Sequence, residues 1–112
     1  MKKIILAIVL VVLSFGVLAE PVPLIMGGGA EVSCGTYLTE TDYVKSYRLS
    51  WALGFLSALN VSNFFSKKDF LSEPDVGGIT MNLANFCQKN PLSRFAEAVM
   101  QTAVDLSRRA NK

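Results

Sequence analysis

The residues in this chain that could do chemistry are few, and the gaps among them are as informative as the residues. Cys34 and Cys87 are the only cysteines in 112 residues, and there is no histidine. Without histidine the chain lacks the commonest general base and the commonest metal ligand. A redox pair would normally sit in a C-x-x-C turn, and a metal site would need more ligands than two thiols. In an exported chain an even cysteine count reads as a structural disulfide, favoured here over the redox and metal alternatives. Closing that loop should stabilise the fold by ~4 kcal/mol in the chain-entropy picture. Asp69, Glu73 and Asp75 form a loose acidic group, but they lack EF-hand spacing and suit a solvated helix start better than calcium binding or paired-acid catalysis. Gly27-Gly28-Gly29 follows no strand, so it is a weak phosphate cradle, and no serine lies in a nucleophile-elbow pattern. Trp51 and Phe55, four apart, could line an apolar pocket, although core packing is the simpler reading. The expectation is a protein that is not an enzyme, with no catalytic residue, no cofactor and no metal ligand.

Export is written in the first residues. Lys2-Lys3 precede an unbroken apolar run from Ile4 to Leu13, and Val17-Leu18-Ala19 fits a cleavage triplet, so residues 1–19 read as a signal peptide cut before Glu20. The rival is an uncleaved anchor, for which the run is short. Of the 11 Lys and Arg residues, Lys2 and Lys3 leave with the signal, and the nine that remain balance the 9 Asp and Glu. A neutral mature chain gives no basic face for nucleic acid. Membrane contact is expected only through the signal peptide during export, and the expected location is the periplasm.

The remaining segments read as helices, which makes the expected fold all-α: a small four-helix domain stapled by one disulfide. Residues 20–32, with Pro21, Pro23 and three glycines, read as a flexible leader. The helical domain spans 33–110. A short helix is expected over 31–38, with Gly35 allowing another backbone to approach beside the disulfide. Thr39 reads as the N-cap of a long helix over 41–64. Lys45, Ser46 and Arg48 of that helix should face outward. Residues 51–59 are apolar almost all round, so they are expected to form the buried axis of the domain. Ser72-Glu73-Pro74-Asp75 reads as the next helix start, and that helix runs to about Lys89 with Ile79, Leu83, Phe86 and Cys87 on one face. Gly77-Gly78 should fray its first turn. Asn90 reads as an N-cap with Pro91 opening the last helix, whose Leu92, Phe95, Val99, Ala103 and Leu106 form the apolar stripe. No strand alternation is visible.

Between the long helices, residues 63–72 place phenylalanines among charges. Phe65 and Phe70 could seal the end of the bundle or, with Lys67 and Lys68, form a protruding contact surface of aromatics in a polar rim.

Three stretches carry a likeness: Cys34-Gly35-Thr36-Tyr37-Leu38, the run from Trp51 to Asn60 (WALGFLSALN), and the run from Asn85 to Leu92 (NFCQKNPL). Together they resemble the Rap/Tai family of periplasmic immunity proteins associated with type VI secretion, over about residues 33–107. The resemblance implies an all-helical, single-disulfide domain that binds a protein partner, an exported cell-wall amidase effector, and blocks it. Well-studied members of that family act as dimers, which leaves a homodimer open for this chain. A second hypothesis is an HdeA-like acid-stress chaperone, whose folded form loosens when its carboxylates are protonated; other periplasmic helical roles remain beside it. The sparse charge and the apolar central helix weigh against the chaperone. Loss of near-UV circular dichroism and client holding at about pH 2 to 3 would separate it from an immunity protein.

Overall fold

A computed structural model describes residues 29–112, so the expected signal peptide and most of the leader lie outside the described residues. Four helices follow in order: α1 (Cys34–Thr39), α2 (Asp42–Val61), α3 (Val76–Lys89) and α4 (Phe95–Ala110). Among the described residues there is no strand, only one isolated antiparallel bridge between Ser33 and Arg94. Cys34 and Cys87 form the disulfide, with their Cα atoms 4.7 Å apart. It joins the first turn of α1 to the last turn of α3.

Helices α1, α2 and α3 each begin where a short polar side chain satisfies an orphan amide, though the caps are not all those expected. Ser33 caps α1 through Thr36 N at 3.1 Å. Thr39 is the last residue of α1, and its hydroxyl donates back to the Thr36 carbonyl at 3.0 Å. It is therefore not the cap of α2; Thr41 is, accepting from Val44 N. Asp75 caps α3, accepting from Gly78 N at 2.7 Å. The glycine pair thus lies in a first turn held by a carboxylate, where the oriented amides of the helix end favour negative charge.

The expected start of α4 is corrected. Asn90 closes α3 instead, its amide and its side chain both donating to the Phe86 carbonyl. Residues 91–94 are held non-helical because their backbone pairs with the segment before α1. Cys34 N donates to Ser93 O at 2.7 Å, Gly35 N to Pro91 O at 2.8 Å and Phe95 N to Val32 O at 2.8 Å. A Cβ on Gly35 would stand 3.3 Å from the Pro91 carbonyl, so glycine does serve a close backbone approach beside the disulfide. Leu92, placed by its spacing in the apolar stripe, lies in this turn and is 94% exposed.

The same pairing corrects the leader. Ala96 N donates to Ala30 O, Gly29 and Ala30 are buried, and the Arg48 guanidinium donates to the Gly29 carbonyl at 3.0 Å. Residues 29–32 therefore belong to the domain and are not flexible leader. Arg48 is correspondingly not outward-facing: it makes a bidentate ion pair with Glu40, the two side chains being 14% and 13% exposed.

The axis of the domain is α4, not α2. Phe95, Ala98, Val99, Thr102 and Ala103 are fully enclosed, and α4 packs against all three other helices. Its small residues let those helices approach its backbone closely, which is how native interiors reach their packing density. Helix α2 buries one side only. Ala52 and Leu56 are enclosed and Trp51, Leu53, Phe55 and Leu59 are half-buried, while Gly54, Ser57 and Ala58 face solvent. The expectation that residues 51–59 are wrapped on every side is thus corrected. The Trp51 and Phe55 rings stack at 5.4 Å and pack, half-buried, against the core.

Candidate functional site

The loop joining α2 to α3 is the largest irregular segment among the described residues, and it is fastened at several points. Asn60, in the last turn of α2, works with both ends of its amide. Its Nδ2 donates to Asp69 Oδ1 at 2.8 Å, and its Oδ1 accepts from Phe70 N at 3.0 Å. Asp69 Oδ1 also accepts from Leu71 N. Ser66, buried, donates to Asn111 Oδ1 at 3.2 Å and accepts from Lys68 N, which ties the loop to the end of α4. Asn63 turns the chain out of α2 with a φ of 53°, a region asparagine tolerates better than most residues.

This anchoring sorts the expected contact residues. Phe70 is 2% exposed and belongs to the core, so its expected contact role is corrected: the Asn60 bond to its amide turns the ring inward. Phe65 is half-buried and packs on the core, meeting Phe64 edge to face at 4.9 Å. Lys67 and Lys68 are exposed, and neither makes an ion pair with a described residue. Phe64, not singled out from the sequence, is the aromatic that reaches solvent, at 67% exposure. No hydropathy signal separates Phe64 from Phe65; only the turn at Asn63 decides which one points out.

Beneath the loop lies an open cleft of about 720 Å³ between the loop, the start of α3 and the end of α4. Phe70 and Leu106 contribute to its walls, with Lys68 and Arg109 on its cationic side and Glu73 and Asp75 on its acidic side. The acidic group read from the sequence has structural duties here. Asp75 caps α3 and Asp69 organises the loop. Among the described residues no cluster of His, Cys, Asp and Glu could hold a metal ion, and no helix is long and apolar enough to cross a membrane.

Among the described residues two side chains have shifted proton affinities, and both adjoin Glu40. Burial pushes the Tyr37 hydroxyl above the usual tyrosine range, and the Glu40 charge adds to it. The Arg48 guanidinium is held still more firmly protonated by its hydrogen bond to Glu40, against the opposing effect of burial. Both are structural groups, remote in role from the loop. What the arrangement offers chemically is a contact surface: a fixed loop with two exposed ammonium groups and an exposed ring beside a helix end. Comparison of the chain with protein-family models, with curated proteins and with solved structures finds no match in any of the three.

Proposed function

We propose that this protein is a non-enzymatic, exported binding domain of the immunity type, which occupies and blocks a cell-wall amidase effector of type VI secretion in the periplasm. The observation that carries the reading is the fastened loop that presents Phe64, Lys67 and Lys68 on a disulfide-stapled helical frame. A contact loop held in one shape before binding loses little entropy on association, and an aromatic set among charges suits a protein partner. The two exposed lysines would meet an acidic rim on the effector and speed encounter more than they add affinity.

The test is titration of the oxidised mature protein into an exported amidase encoded beside it, at neutral pH, with peptidoglycan hydrolysis as the readout. Stoichiometric inhibition is expected. The double variant Lys67→Glu, Lys68→Glu should weaken inhibition at least tenfold while leaving the melting temperature unchanged, and Phe70→Ala should instead lower the melting temperature. Absence of inhibition by the folded wild type overturns the reading. Client holding at pH 2 to 3 in its place would assign the protein to the acid-stress chaperone class.

A further inference from the structure

The cleft beneath the loop brings together groups that the contact surface above it leaves unused. Its volume of about 720 Å³ lies in the range of small-molecule sites, and its walls mix apolar and polar groups as such sites do. Phe70, enclosed in the core, and Leu106 supply the apolar wall. Arg109, in the last turn of α4, and Glu73, ahead of α3, both line it and are both exposed. Opposite charges sharing one cleft attract, yet neither makes an ion pair with a described residue. The frame holds the two apart.

Two residues of α3 add to this. Asn82 is half-buried and lines the cleft. Its Oδ1 accepts from the hydroxyl of the fully enclosed Thr102 at 2.9 Å, which sets the amide so that Nδ2 is directed away from Thr102. That Nδ2 has no acceptor among the described residues, and no buried polar side-chain atom among them goes unpaired, so the donor is open to solute in the cleft. Gly78 lies one turn earlier on the same side of α3 and also lines the cleft. A Cβ built there meets only Asp75 Oδ1, at an ordinary 3.4 Å, and the backbone is helical. Neither a tight contact nor an unusual φ asks for glycine, although glycine weakens a helix relative to most residues. What the missing side chain does provide is room.

We infer that this cleft binds a short peptide whose two termini are both free. The peptide carboxylate meets the Arg109 guanidinium, its ammonium meets the Glu73 carboxylate, a chain carbonyl accepts from Asn82 Nδ2, and an apolar side chain lies against Phe70 and Leu106. A ligand of one sign alone would bring like charge to one of the two sides, whereas a zwitterion matches both. Size points the same way. A free amino acid would leave most of the volume to water, while an extended tripeptide is about 10 Å long and carries its charges at opposite ends. The guanidinium fork can hold a carboxylate by two parallel bonds, which the ammonium of Lys68 cannot, so the site needs no residue of the effector contact.

The experiment titrates the tripeptide alanyl-leucyl-alanine into the oxidised, isotope-labelled mature protein and follows its backbone amide resonances. No effector is present, so the outcome is separate from the function proposed above. Saturable shifts are expected at Gly78, Asn82 and Ala110. The N-acetylated and the C-amidated peptides should each bind about tenfold more weakly, the loss expected of one charge-assisted hydrogen bond. Arg109→Gln should weaken binding of the free peptide to the level of the amidated one and remove the preference between them, and Glu73→Gln should do the same for acetylation. Gly78→Leu should abolish the shifts at Asn82 and Ala110 while melting no lower than the wild type, which separates a filled cleft from a damaged fold. Shifts that are absent, do not saturate or lie outside the cleft, equal binding of the blocked peptides, or full binding by a folded Gly78→Leu protein would each overturn the inference.

Discussion

Tyr37 shows how one buried residue sets a pH limit on the whole fold. Its ring lies 4.4 Å from that of Phe95, and the residue is 3% exposed in the core between α1 and α4. Burial, and then the nearby Glu40 charge, raises the pKa of its hydroxyl above the ordinary value of 10.0. A group whose proton is held more tightly in the folded state contributes stability that is complete below its unfolded pKa. That contribution is lost as pH rises through the folded one, because the unfolded chain releases the proton first. The wild type should therefore lose stability above about pH 10, the ordinary tyrosine value. Tyr37→Phe should stay within about 1 kcal/mol of wild type at pH 7, the ring being kept. It should also show a shallower fall in melting temperature between pH 9 and 11.5. An unchanged alkaline slope in the variant would place the sensitivity elsewhere.

At the scale of elements, α3 tests how far caps outweigh propensity. Gly77 and Gly78 occupy its first turn, where the sequence predicts fraying, yet the helix begins at Val76 because Asp75 Oδ1 accepts from Gly78 N. Asp75→Ala should cost about 1 kcal/mol. Hydrogen exchange of the amides at 77–79 should quicken in that variant while those of α4 stay protected. Uniform quickening across the chain would mean the cap supports the whole domain and not one helix end. The element pattern was largely legible in the sequence: four helices, their order, the short first one, the apolar side of α3 and the disulfide partners. Two misplacements share a physical cause, which is that small residues carry little hydropathy signal. Helix α2 reads as apolar all round because Ser50, Gly54, Ser57 and Ala58 do not look wet, while Ala96, Ala98, Thr102 and Ser107 conceal how completely α4 is buried. The displaced start of α4 has another origin. Asn90-Pro91 has every local mark of a helix start, and only the pairing of residues 91–96 with 30–35 overrides it. Contacts across sixty residues leave no trace in a local window. Of the loop residues, Lys67 and Lys68 were readable as exposed, whereas the choice of Phe64 over Phe70 depends on Asn60, whose role is set by its two loop partners.

Over the whole molecule, the disulfide and that backbone pairing do the same job at one place. The bridge closes a loop of 53 residues between α1 and α3, and the amides of Cys34 and Gly35 bond the carbonyls of Ser93 and Pro91 immediately beside it. The chain-entropy contribution of such a loop is about 4 kcal/mol, a large share of the 5–15 kcal/mol by which a domain is usually stable. Helix α2 is packed mainly against α4 and carries no cross-link, so it depends on the core cohering around Phe95, Leu56 and Leu83. Replacing both cysteines by alanine should therefore lower the unfolding free energy by about 3–4 kcal/mol. The loss should appear as a lower urea midpoint and a steeper dependence on urea, since the unlinked chain exposes more surface on unfolding. The native backbone register should survive, because the four amide bonds joining residues 30–35 to 91–96 hold it without the sulfurs. Retained protection of the amides of Cys34 position and Phe95 in the double variant at low urea would bear this out. If those amides exchange freely while the helices persist, the bridge creates the register and the hydrogen bonds merely follow it, and the pairing would then be no independent reason for α4 to begin at Phe95.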